Sequence, residues 1–161
     1  MTEPRVVRPV DWLLVIARVV LGGTFVLLAA RKLQDPVAFL KAVREYHLVA
    51  DGRVLTMIAA VLPWAELTWG AFLIAGVFLR GTAIVVLVSL LVFSGAILSR
   101  GLALHASVGG AFCAVGFDCG CGNGVEKVCV KLAENVGLIV LATLLATVPT
   151  NFLRVSAGRS S

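Results

Sequence analysis

Four apolar runs, each near the length that crosses a bilayer, constrain this chain more than any other feature. A helix rising about 1.5 Å per residue needs roughly 20 residues to span the hydrocarbon core. The runs lie at about 12–31, 54–79, 82–99 and 132–150. The composition agrees: 60% of the 161 residues are hydrophobic, 14% are charged, and the mean hydropathy of +1.01 is far from that of a soluble domain. The expected fold is all-α: a four-helix transmembrane bundle forming a single domain over residues 1–161. The first run exceeds the roughly 7–15 residues of a signal-peptide core. It also ends in Ala29-Ala30-Arg31-Lys32 without a clear small-x-small cleavage site, so it reads as a retained anchor. Arg80-Gly81 is expected to form the tight turn between the second and third spans, and Pro149 to stop the fourth.

With four spans, both termini and the Arg80 turn share one side of the membrane, and residues 31–53 and 100–131 share the other. Five basic residues (Arg5, Arg8, Arg80, Arg154, Arg159) lie on the first side. Eight (Arg31, Lys32, Lys41, Arg44, Arg53, Arg100, Lys127, Lys131) lie on the second, a lean toward a cytoplasmic location for the cysteine segment. The net charge of +5 is scattered at membrane edges, where snorkelling side chains reach lipid headgroups. The implied partner is the lipid bilayer, not nucleic acid. The Gly22-Gly23 and Gly109-Gly110 pairs read as places of close helix approach.

A short interfacial helix is expected at about 36–46. Asp35 can cap it, Pro36 is tolerated in its first turn, and Phe39, Leu40, Val43 and Tyr46 recur at helical spacing. Two charges sit at membrane depth, Arg18 and Glu66. They read either as a buried pair fixing helix register or as a site in which Glu66 relays protons or borders a quinone. Trp64 and Trp69 flank Glu66 on the helix that contains Pro63, a placement that suits ordinary packing and also a flat ligand.

All four cysteines fall in the loop at 100–131. Cys119 and Cys121 are separated only by Gly120, whose freedom lets the two thiols approach. So small a ring gains little from loop closure and suits reversible electron exchange better than bracing. They are the candidate redox pair. Cys113 reads as a small packed hydrophobe or, with Cys129, as a second pair. His47 and His105 read as interfacial polar groups. The spacing C-x5-C-x-C-x7-C matches neither structural zinc sites nor the common iron–sulfur runs, so no metal is expected. Residues 101–117 are apolar and glycine-rich, and read as a segment dipping into the membrane or as a fifth span.

Several of these stretches together resemble the DoxX-like membrane proteins, and most closely the MauE branch linked to methylamine utilisation. They are Lys32-Leu33-Gln34-Asp35-Pro36 through Phe39 with Tyr46-His47-Leu48, Leu62-Pro63-Trp64-Ala65-Glu66-Leu67 with Gly70, Asp118-Cys119-Gly120-Cys121-Gly122, and Asn135. The chain departs from that pattern in the apolar insert between Gly101 and Cys119, at Asn123, and at Glu134. The resemblance implies an inner-membrane protein associated with thiol–disulfide chemistry. Its cysteine loop would be extracytoplasmic, its companion a thioredoxin-like or other extracytoplasmic thiol protein, and its beneficiary a partner such as methylamine dehydrogenase. Two rival readings are a non-catalytic assembly factor and the membrane subunit of a quinone-linked sulfur oxidoreductase.

Overall fold

The computed structural model describes residues 9–118, 120 and 124–147. Its elements in chain order are α1 (Pro9–Gln34), α2 (Pro36–Glu45), α3 (Gly52–Ala75), α4 (Leu79–Val108), a 3-10 turn at Phe112–Ala114, β1 (Gly116–Asp118), β2 (Val125–Lys127) and α5 (Val128–Thr147). Four of the helices, α1, α3, α4 and α5, are long and apolar enough to cross a membrane. Their outer faces carry large exposed apolar side chains such as Trp12, Leu27, Val61, Trp64 and Val92. In water so much exposed apolar surface would drive association; against lipid it is the expected exterior.

Lipid tails are as apolar as leucine, so hydrophobic burial does not drive these helices together, and small residues at the contacts take on that work. α1 and α3 pack where Gly22 meets Gly70: a Cβ on Gly22 would stand 2.7 Å from the Gly70 carbonyl oxygen, and one on Gly70 2.8 Å from that of Gly22. Gly23 meets nothing within 4 Å. α4 and α5 approach at Gly101, where an added Cβ would lie 2.9 Å from Val128. The bundle is therefore built from two antiparallel pairs.

The half nearer the termini is solid. Leu14, Leu21 and Phe25 of α1, Leu73 of α3, Val86 and Leu90 of α4, and Leu145 of α5 fill it. Toward the opposite end the filling stops, and a smaller cluster of Ile97, Phe117 and Val128 closes the top between α4, the hairpin and α5.

Several local expectations need correction. The turn between α3 and α4 lies at Gly76–Phe78, not at Arg80-Gly81, and uses left-handed backbone at Gly76 (φ 73°) and Phe78 (φ 46°). Arg80 and Gly81 are already helical. Gly109-Gly110 mediates no helix contact. Both residues have positive φ (74° and 89°) with open space around them, and they end α4. The segment after Arg100 is neither a dip nor a further span: α4 continues to Val108, and the chain then turns into the 3-10 turn and hairpin. The end of the fourth predicted span, 148–150, lies outside the described residues.

A clamped cysteine hairpin over a charged cavity

α2 forms because Asp35 accepts a hydrogen bond from the Ala38 amide at 2.9 Å and Pro36 opens its first turn. It turns Phe39 and Ala42 inward. Above it stands the antiparallel hairpin of β1 and β2, paired Gly116 to Lys127, Phe117 to Glu126 and Asp118 to Val125. Nothing in the hydropathy of so short a pair announces a strand. Tyr46 meets Phe117 edge-to-face at 5.7 Å, tying the end of α2 to β1.

Cys113 and Cys129 are joined by a disulfide with a Cα–Cα separation of 5.0 Å, which fastens the 3-10 turn to the start of α5. The bond spans 16 positions and encloses the whole hairpin. Cys119 and Cys121, the candidate redox pair, lie outside the described residues. The glycine between them does not. Gly120 is buried with φ 73°, and its amide donates to the Asp118 carboxylate at 2.9 Å. A Cβ there would stand 3.1 Å from Ala42 Cβ and 3.3 Å from the Phe39 ring. Gly120 is thus seated on α2.

Beneath α2 the bundle holds a cavity of about 800 Å³, bounded by all five helices. Its polar floor is an ion pair that the sequence reading missed. Lys32 Nζ donates to both carboxylate oxygens of Glu66 at 2.7 Å, with side chains only 7% and 4% exposed. The ammonium also lies 5.1 Å from the centre of the Phe39 ring and 5.3 Å from that of Phe93. A second group on α5 borders the cavity: Lys131 bonds Glu134 at 2.9 Å and Glu126 at 2.8 Å, and the Asn135 amide donates to Ser94 Oγ at 3.1 Å.

Arg18 is not Glu66's partner, and helix register explains why. With Gly22 opposite Gly70 on antiparallel helices, Glu66 falls level with residue 26, about 12 Å along the axis from Arg18 at 1.5 Å per residue. Helical side chains lean toward their own N-terminus, so Arg18 leans away from Glu66 while Lys32 and Glu66 lean toward each other. Arg18 instead lies over Gly76 in the α3–α4 turn. Trp64 and Trp69 do not line the cavity either: Trp64 faces outward, Trp69 packs on the solid half, and Phe25, Phe39, Tyr46 and Phe93 supply the aromatic wall. His105 sits edge-on to Phe112 at 5.9 Å, beside the hairpin base.

The chain therefore carries a lysine–carboxylate pair in α1 and α3, an interfacial helix capped by Asp35 and opened by Pro36, and a hairpin flanked by cysteines before the last span. The family model described as methylamine utilisation protein MauE matches residues 10–148. This chain belongs to the MauE family. The match takes in every element of the bundle from α1 to α5 except the first residue of α1. It makes the protein a MauE-like multi-pass membrane protein. No curated protein sequence and no solved structure matches it.

Proposed function

We propose that this MauE-family protein carries out thiol–disulfide exchange with an extracytoplasmic protein through Cys119 and Cys121. The supporting observation is the seating of Gly120. The residue between the two thiols is held by Phe39 and Ala42, and the hairpin that presents it is fastened at its base by Cys113–Cys129. A scaffold of this kind fixes a reactive loop at the membrane rim. In the exchange, a partner thiolate attacks the Cys119–Cys121 disulfide and forms a mixed disulfide. The second partner thiol then displaces it, leaving the partner oxidised and the loop a dithiol.

The count of basic residues still leans against an extracytoplasmic loop, and only narrowly. Of the eight basic residues on that side, Lys32 and Lys131 are buried against carboxylates, which leaves six against the five on the termini side. The family's link to methylamine utilisation makes methylamine dehydrogenase the first partner to try.

The test is trapping. Cys119→Ser and Cys121→Ser, made singly, should each either stall a mixed disulfide with the partner or abolish it, and impermeant thiol labelling of intact cells should reach the loop. Normal partner oxidation in the double variant would refute the exchange and leave the non-catalytic assembly role.

A further inference from the structure

We propose that the cavity between the two helix pairs is a binding site for a neutral, lipid-soluble quinone, with its ring between Phe39 and Phe93 and a carbonyl oxygen accepting from Lys32. Four features of the site select that chemistry. First, among the described residues the charged side chains lining the cavity are Lys32, Glu66, Lys131 and Glu134, and they balance. A buried anionic headgroup would find no uncompensated cation, so a fatty acid or phosphate is disfavoured and a neutral polar group is favoured. Second, Lys32 directs only donors into the space, and its ammonium has three, so a carbonyl acceptor suits it. Third, two phenylalanine rings flank that donor, 5.1 and 5.3 Å from it, which suits a flat ring. Fourth, the walls beyond this polar end are apolar, and Ile58 and Val92, both lining residues, are exposed on the outer faces of α3 and α4. The cavity thus opens toward the bilayer, where an isoprenoid-tailed molecule dissolves. Its volume of about 800 Å³ exceeds what a ring alone would fill.

Phe39 is the wall shared by this site and the loop, since its ring also touches the position of Gly120. On the exchange reading above, which the redox part of this inference rests on, the site completes the electron balance. As the Cys119–Cys121 dithiol returns to the disulfide, its two electrons and two protons convert the quinone to the quinol. Lys32, with Glu66 holding its ammonium in place, is the binding residue.

The experiment measures equilibrium binding of a short-tailed benzoquinone to the full-length protein in nanodiscs. Saturable one-to-one binding is expected. Gly137 lines the cavity and has nothing within 4 Å of an added Cβ, so Gly137→Phe should fill the space without a backbone clash and weaken binding at least tenfold. Gly23→Phe, with equal room around its Cβ, should leave binding unchanged. The paired variant Lys32→Met with Glu66→Leu removes the donor without stranding a charge and should also weaken binding.

Displacement of the benzoquinone by diacylglycerol or by a long-chain fatty acid at comparable concentration would overturn the proposal, as would undiminished binding to Gly137→Phe. Binding is expected to persist when Cys119 and Cys121 are both serine. If the wild-type protein exchanges disulfides but binds no benzoquinone, this inference fails alone. If binding follows the pattern above while partner oxidation survives loss of both thiols, the exchange reading fails alone.

Discussion

Lys32 and Glu66, 34 positions apart, hold each other across α1 and α3, with the ammonium 2.7 Å from both carboxylate oxygens. The pair stands at the level where the solid core gives way to the cavity, so α1 and α3 are tied there by charge where side-chain packing runs out. Away from water such a pair is poor evidence of net stabilisation, because each ion loses its hydration. Breaking it is another matter: the remaining charge is then buried without compensation.

Glu66→Leu, which strands the Lys32 ammonium, is therefore expected to cost about 3–5 kcal/mol. Lys32→Met should cost a similar amount for the opposite reason. The double variant should recover most of the loss, since both charges leave together. Unfolding in detergent, run on both single variants and the double, measures the coupling. A double loss equal to the sum of the single losses would show that the two side chains do not act as a pair.

The bundle was legible in the sequence because its determinants are local. Long apolar runs give the spans, and Asp35-Pro36 gives the start of α2. What escaped was relational. The partner of Glu66 depends on the register of α1 against α3, which Gly22 and Gly70 set; that glycine pair and the lean of helical side chains are the signals that could have pointed to Lys32. The hairpin escaped because its strands, Gly116–Asp118 and Val125–Lys127, are too short to show alternation. The Cys113–Cys129 pairing stands in the sequence only as one of two readings of Cys113, because 16 positions of sequence separation say nothing of Cα separation. Arg80-Gly81 misled because the turn needed left-handed backbone at Gly76, three residues before the span expected to end at 79.

Gly22 and Gly70 should tolerate no side chain at all. Alanine at either position places a Cβ under 3.0 Å from a carbonyl oxygen of the facing helix, so the helices must separate. Gly23→Ala, facing open space, serves as the control and should be neutral or slightly stabilising through better helix propensity. Thermal unfolding in detergent should rank the two contact variants well below wild type and the control level with it. Equal stability of all three would show that the α1–α3 crossing lies elsewhere.

The Cys113–Cys129 bond should act on the hairpin more than on the bundle. A loop of about 15 residues closed by a disulfide gains roughly 3 kcal/mol by restricting the unfolded chain. Replacing both cysteines by serine is expected to raise amide hydrogen exchange across 112–128 while leaving α1 and α3 protected. Non-reducing peptide mapping of the native protein should recover the two cysteines as one linked species. Recovery of both as free thiols would remove the clamp.

Gly120 offers a paired comparison with Gly124. Both have left-handed backbone, φ 73° and 76°, so alanine at either carries the same backbone penalty, on the order of 1 kcal/mol. They differ in surroundings: nothing lies within 4 Å of a Cβ on Gly124, whereas one on Gly120 would press on Ala42 at 3.1 Å and on the Phe39 ring at 3.3 Å. Gly120→Ala should consequently lift position 120 from α2 and displace Phe39, changing by several-fold the rate at which a small dithiol reduces the disulfide proposed between Cys119 and Cys121. Gly124→Ala should leave that rate near wild type. Stopped-flow reduction of the two variants gives the comparison directly. Identical rates would mean that contact with α2 does not govern the reactivity of the loop.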